Sequence, residues 1–284
     1  MTQLYRGMDR AALDREYDAR ATVPDIAPFL AAYRSGTAAA RRDLPCRIGL
    51  AYGPTEPERL DLYPAARPAA RPGPAPVFLY IHGGYWRLLD AADSGFMAPF
   101  LTRAGACVAV LNYALAPAVT LDEIVRQCRA ALAWLRANVA AQGGDPARIH
   151  VAGSSAGGHL AAMLAAAEPC VAGATLLSGL YDLEPLRHCH VHDWLRLDAA
   201  AAARNSPALL PPPRVGLPLV FSAAATETGE FLRQTAGHAA RCAAAGCAVT
   251  TVAPPPGSNH FDLPLQLCAD TPLSRAVRAA MGLG

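Results

Sequence analysis

The chain has 284 residues, 52% of them hydrophobic and 17% charged, with a formal net charge of +2. That length can bury the core of one α/β domain. No run approaches the roughly 18 uninterrupted apolar residues of a membrane span, and no basic block offers the footprint of a nucleic-acid binder. All 25 positive side chains are arginine, which excludes a P-loop lysine, a Schiff-base lysine and with it pyridoxal-phosphate chemistry.

The first 30 residues scatter charges and lack the short apolar core of a secretory signal, so a cytoplasmic location is expected. Residues 1–44 read as a helical N-terminal extension. CRIGLAY (46–52) and RLDLY (59–63) read as two short strands, followed by the Pro-rich PAARPAARPGPAP (64–76). APVFLYIHGG and CVAVLNY (107–113) are continuous apolar runs suited to strands buried on both faces. TLDEIVRQCRAALAWLRANVAA has helical spacing, with Thr120 as N-cap and Asp122 and Glu123 in the first turn. The alternation repeats: strand 148–153, helix AGGHLAAMLAAA, strands 171–179 and 217–225, helix EFLRQTAGHAARCAAAG, strand 247–253, and a kinked closing helix, LPLQLCADTPLSRAVRAAMG.

Strands alternating with helices predict a mostly parallel, doubly wound sheet with helices on both faces, in a single domain over 1–284. Residues 183–216, rich in Pro and His, break the period and are expected to form a small lid insertion over the mouth of a site. The eight cysteines stand singly, without C-x-x-C pairs, and read as small buried hydrophobes.

HVAGSSAGGHL (150–160) contains G-x-S-x-G between a predicted strand and helix, the pattern of a nucleophile elbow that lifts a serine hydroxyl above the sheet. In that frame Ser155 is central and Ser154 occupies a variable position. An acyl-transfer serine needs backbone N–H donors aimed at the developing oxyanion. Ala156, next in the chain, supplies one. Gly83 and Gly84 of His82-Gly83-Gly84-Tyr85-Trp86, at the end of an earlier strand, supply the others.

HGGYW, NYALAP (112–117), GSSAGGHLAAM and NHFDL (259–263), with DREYDAR (14–20), together resemble the α/β-hydrolase family of kynurenine formamidases (arylformamidases) and related carboxylesterases. The resemblance runs over most of the chain. It implies an α/β-hydrolase fold and a Ser-acid-His triad that hydrolyses small aryl formamides or aryl esters without a cofactor. The hormone-sensitive-lipase group typically carries a third glycine where this chain has Tyr85. Beside the oxyanion donors, Tyr85 and Trp86 are expected to bind substrate, closing the acyl side.

Triad order in this fold is serine, acid, histidine. Of the two late histidines, His238 lies in a helical run and is expected to face solvent, whereas His260 follows a strand and a loop, where the base belongs, and matches the family's NHFD-like motif. After the 217–225 strand the acid is Glu227 or Glu230, with Asp182 after the preceding strand as the rival. Glu230 opens a helix, where a carboxylate favours the macrodipole regardless of catalysis. Glu227 lies in the loop, and ATETGEFLRQT resembles the family segment whose acid stands three residues before a Glu-Phe pair, which selects Glu227.

RHCHVHDW (187–194) clusters His188, Cys189, His190, His192 and Asp193 but lacks a second ligand group at recognisable spacing, so no metal is expected. The expected partner is a small aryl formamide or ester, with neither nucleic acid nor membrane, and a homodimer is left open.

Overall fold

The computed structural model describes residues 3–66 and 73–284. Part of the Pro-rich stretch, residues 67–72, lies outside that range. Short β-rich segments near the start pair as expected: β1 (Arg47–Ala51) and β2 (Arg59–Tyr63) run antiparallel. The apolar runs become β3 (Ala75–Ile81), β4 (Cys107–Leu111), β5 (Gly144–Ser154), β6 (Val171–Leu177), β7 (Pro218–Ser222) and β8 (Ala248–Thr251). The sheet order is β1-β2-β4-β3-β5-β6-β7-β8. β2 joins β4 antiparallel, and every pairing from β4 to β8 is parallel.

β3 explains why a strand without polar alternation is stable at the centre of the sheet. Its side chains point alternately to two faces. Val77, Leu79 and Ile81 enter one core, and Phe78 and Tyr80 enter the other.

Helices cover both cores. α1 (Arg10–Glu16), α2 (Ala27–Asp43), α3 (Ala98–Arg103), α4 (Leu121–Asn138) and α5 (Ala156–Ala167) are followed by α6 (His192–Leu195), α7 (Ala199–Arg204), α8 (Gly229–Ala244) and α9 (Pro272–Ala280). α1, α4, α5 and α8 contribute buried side chains to the first core, and α2, α3 and α9 to the second. α4 starts where its sequence places it, with the Thr120 hydroxyl accepting from Glu123 N. α5 is apolar all round and buried over Ala156–Ala165, as a helix enclosed by the protein must be.

The closing segment is not one kinked helix. A 3-10 turn (Leu263–Cys268) stops before α9, which begins afresh at a capping box between Thr271 and Ser274 with Pro272 at its first position. Proline suits a first turn and disrupts a helix interior.

His238 also departs from expectation. It is buried in α8, its ring stacked on Tyr181 with centroids 4.3 Å apart, and burial depresses its pKa to about 3. The eight cysteines are free thiols, five buried and three partly buried. Among the described residues, no helix is long and apolar enough to cross a membrane.

Candidate active site

The site lies at the carboxyl ends of β3 and β5, where parallel strands hand over to loops and helix N-termini. Ser154 ends β5, Ala156 begins α5, and Ser155 between them adopts φ 59° and ψ −122°. A non-glycine residue there costs roughly 1–3 kcal/mol and persists only when its surroundings impose it. They do: Ser155 N donates to Leu177 O at 2.8 Å, and His159 N donates back to Ser155 O at 3.0 Å. The flanking glycines admit the close approach. A Cβ at Gly157 would lie 2.0 Å from Ile81 O, and one at Gly153 would lie 2.3 Å from Gly157 O.

The loop after β3 abuts this turn. A Cβ on Gly83 would stand 2.8 Å from Ser154 O and 3.3 Å from Ser155 Cβ, so any larger residue would push the loop off the serine. Gly84 has φ +90°, and Tyr85, Trp86 and Leu89 also hold positive φ. The turn is closed by Arg87 N and Leu88 N, which both donate to Gly84 O at 3.0 Å. His82 is stacked on Tyr113 at 4.1 Å, and its Nδ1–H donates to Gly83 O at 2.9 Å. Burial lowers the His82 pKa to about 4 and keeps the ring neutral. The Tyr113 hydroxyl donates to His82 O at 2.9 Å. Among the described residues, no protein acceptor takes the N–H of Gly83, Gly84 or Ala156. These are the three donors expected from the sequence.

His260 and Glu227 meet across two loops. His260 Nδ1 donates to Glu227 Oε1 at 2.8 Å, and both side chains are almost wholly buried. The acid loop is fastened to the base loop by Ala225 N and Thr226 N, which donate to Ser258 Oγ and Ser258 O at 3.1 and 3.0 Å. With Nδ1 donating, the imidazole keeps Nε2 as its basic nitrogen. Phe231 packs edge-on against the ring at 5.0 Å.

Neither alternative acid reaches His260. Asp182 accepts from the Tyr5 hydroxyl at 2.7 Å and from Glu184 N at 3.0 Å. Glu230 is engaged by Arg233 and by the Tyr17 hydroxyl, each at 2.7 Å.

A cavity of about 120 Å³ opens between these loops, lined by Ser154, Ser155, His260, Gly83, Gly84 and Tyr85 among others. Its remaining walls are mostly apolar. Ala19, Ile26, Leu30 and Tyr33 come from the N-terminal extension, and Tyr80, Phe96 and Phe261 from the domain. Arg20 and Asp93 also line it. The N-terminal wall was not foreseen, although the helical pattern of 27–43 with aromatics on one side was available to suggest a packed face.

Two expectations are corrected here. Trp86 is not at the cavity wall where it was expected: it is fully buried, donates from Nε1 to His159 Nδ1 at 3.2 Å, and does not line the cavity. It belongs to the first core, edge-on to His159 with ring centroids 5.0 Å apart. Nor does any residue of 183–216 line the cavity. That segment packs beside α4 and α5, with Arg204 paired to Asp122 at 2.7 Å and Asn205 O accepting from His159 Nε2 at 2.7 Å. It reaches the site only from behind, where Trp194 Nε1 donates to Tyr85 O at 3.0 Å.

The histidines of 187–194 diverge. His188 faces Glu184 at 3.1 Å, and His190 faces Asp14 at 3.4 Å. Asp14, Cys189 and His190 offer ligand atoms within 4.8 Å of one another. Asp14 is already held by Arg10 at 3.0 Å, however, and burial raises the Cys189 thiol to about 12, away from the thiolate a metal needs.

A mostly parallel eight-stranded sheet, with a strained serine at the turn after its central strand, makes this protein an α/β-hydrolase. The sequence profile of the BD-FAE family matches residues 60–172. A kynurenine formamidase of Salmo salar is 29% identical over 98% of each chain. Another from Danio rerio is 35% identical over 64% of this chain and 62% of its own, and a carboxylesterase of Mycobacterium tuberculosis is 41% identical over 36% of this chain and 32% of its own. Among solved structures, an esterase from Pyrobaculum calidifontis superposes with TM-score 0.69 at 20% identity over 96% of both chains. A thioesterase candidate from Silicibacter sp. TM1040 reaches 0.81 at 24% identity over 93% of this chain and 98% of that one. The chain is thus similar to kynurenine formamidases and to carboxylesterases, and it is a hydrolase with the α/β-hydrolase fold.

Proposed function

We propose that the protein is an arylformamidase, cleaving a formyl group from an aryl amine such as N-formylkynurenine through Ser155, His260 and Glu227. The observation that carries this reading is that His260, paired with buried Glu227, opens with the strained Ser155 onto one small, mostly apolar cavity. The near full-length likeness to a kynurenine formamidase supports the substrate class.

In this scheme His260 Nε2 takes the Ser155 hydroxyl proton as the oxygen attacks the formyl carbon. Glu227 holds the imidazole in the tautomer that leaves Nε2 free and stabilises the imidazolium that forms. The N–H groups of Gly83, Gly84 and Ala156 bind the oxyanion, at fixed geometry and away from bulk water. Collapse of the tetrahedral intermediate breaks the C–N bond, and the imidazolium returns its proton to the departing aryl amine. His260 then deprotonates a water that attacks the formyl-enzyme, and formate and free Ser155 result. Tyr85, at the cavity edge beside the donors, bounds the acyl side, so that a one-carbon acyl group fits best.

A second reading, an esterase acting on aryl esters, draws support from the 41% identity to the mycobacterial carboxylesterase. It uses the same residues and differs only in the leaving group. Ser155→Ala should lower kcat by roughly 10³-fold or more, and full activity in that variant would remove the nucleophile from the scheme. The ratio of kcat/KM for N-formylkynurenine to that for p-nitrophenyl acetate separates the two readings. Faster turnover of butyryl than of formyl or acetyl substrates would contradict a small acyl side.

A further inference from the structure

Of the four turns that carry the proposed reacting groups, the three besides the Ser155 turn are each tied, one residue beyond the group, to the same stretch of the N-terminal extension, residues 16–33. Beyond Glu227, the Thr228 hydroxyl donates to Glu16 O at 2.5 Å, and the Glu16 carboxylate accepts from Glu230 N at 2.8 Å at the start of α8. Beyond Gly84, the Tyr85 hydroxyl donates to Tyr17 O. Beyond His260, Phe261 O accepts from the Tyr33 hydroxyl, and the Phe261 ring stacks on Phe29 with centroids 6.1 Å apart. Tyr17 adds a further link: its hydroxyl donates to Glu230 Oε2 at 2.7 Å, and its ring packs on Phe231, which in turn packs on His260.

Residues 16–33 contribute none of the proposed reacting groups, yet they hold the residue that follows each of three of them, Thr228 and Tyr85 by the side chain and Phe261 by its carbonyl. We propose that this stretch is a positioning strap for the catalytic loops, with Tyr33, Glu16 and Tyr17 as its positioning residues. The physical need is plain. A base on one loop and its carboxylate on another hold their hydrogen bond only while both loops keep their places, and misplacement by about 1 Å can cost on the order of 10²-fold in rate. The base loop is braced from within, where Asn259 N and Nδ2 bond Asp262 at 3.0 and 2.9 Å and Phe261 N bonds Asn259 Oδ1 at 2.9 Å, and it is tied to the acid loop through Ser258. Tyr33 adds its hydrogen bond from the N-terminal extension. Tyr33 itself is held by stacking on Phe96 at 4.7 Å, so loss of its hydroxyl leaves the ring in place.

The inference rests on the Ser155–His260–Glu227 reading, and its test is read separately from that of the nucleophile. Tyr33→Phe and Thr228→Val are compared with the parent enzyme and with Arg42→Ala, an exposed change at the far end of α2. Rates are given per active site titrated with a fluorophosphonate, so that misfolded protein does not count. Both variants should lose about 10-fold in kcat with KM within about twofold. The acid limb of kcat/KM against pH should move down, because an imidazole less well held by its carboxylate is less basic. Asp262 and Glu227 are the other titratable groups at that loop, and both are intact in the two variants. Arg42→Ala should match the parent. Unchanged kcat per titrated site, or an unmoved pH profile, in both variants would overturn the strap as a positioning device. Persistence of activity in Ser155→Ala would instead overturn the triad, whatever the strap variants do.

Discussion

Residues 1–44 and 183–216 both fall outside the strand–helix alternation, and the structure uses them in opposite ways. The first stretch lines the cavity with Ala19, Ile26, Leu30 and Tyr33 and ties down three loops. The second is fastened to α4 and α5 behind the Gly83–Gly84 loop and contributes no lining residue. An irregular, histidine-rich insertion draws attention as a lid, whereas a plain helical extension does not. What decides is the direction in which each element leaves the sheet: the extension crosses the carboxyl ends of the strands, where the serine is, and the insertion turns back along α5. The comparison implies that changes behind the Gly83–Gly84 loop should cost stability, and changes in the extension should alter substrate handling.

The largest expected effect is on stability. Trp86→Ala removes a fully buried side chain and the donor to His159, and should cost about 3–5 kcal/mol in urea unfolding. A near-normal stability with a raised KM would instead return Trp86 to the substrate site.

Acid should act on the same anchor. Trp86 Nε1 can only donate, so His159 Nδ1 must accept, and His159 Nε2–H donates to Asn205 O. Burial depresses the His159 pKa to about 4. The ring is neutral in the folded chain, and an unfolded histidine gains its proton near pH 6.5. Stability is therefore full above about pH 6.5 and is lost as pH falls toward about 4, by about 1.4 kcal/mol per pH unit for this one group. His82, also lowered to about 4, and His150 and His238, to about 3, add in the same direction. A flat unfolding free energy between pH 7 and pH 5 would show that these rings are not held neutral.

Smaller effects probe the extension. Leu30→Trp should fill part of the cavity and raise KM for aryl formamides about 10-fold while leaving small acetyl esters nearly unchanged, because roughly 1.4 kcal/mol of binding corresponds to tenfold. Its counterpart in the insertion, His188→Ala, should leave kcat/KM within about twofold, since His188 is half-exposed and bonded to Glu184. A larger loss there than in Leu30→Trp would reverse the comparison.

Much of the fold was legible because its signals are local. Continuous apolar runs at β3 to β7, Thr120 before α4 and the glycines around Ser155 each answer a nearby physical demand. Ser155, Gly83, Gly84 and Ala156 could be read together because an elbow and a glycine loop are short motifs. Trp86 was misread because its partner, His159, lies 73 residues further along the chain, and His238 because the exposed side of an amphipathic helix cannot be told from a side that stacks on a residue such as Tyr181, 57 residues away. The choice among Glu227, Glu230 and Asp182 could not be made from periodicity or spacing, since all three stand near strand ends.

By itself, then, the sequence determined the doubly wound sheet, the serine at its elbow and the short list of groups that could serve it. Burial periodicity and glycine contacts are properties of neighbouring residues, and the chain order carries them. Only the tertiary structure decided which carboxylate faces His260, which way Tyr85 and Trp86 turn, and that the first 44 residues, not the insertion at 183–216, wall the cavity. Those are questions of where distant segments meet, and loops of similar composition differ there only through the path the whole chain takes around the sheet.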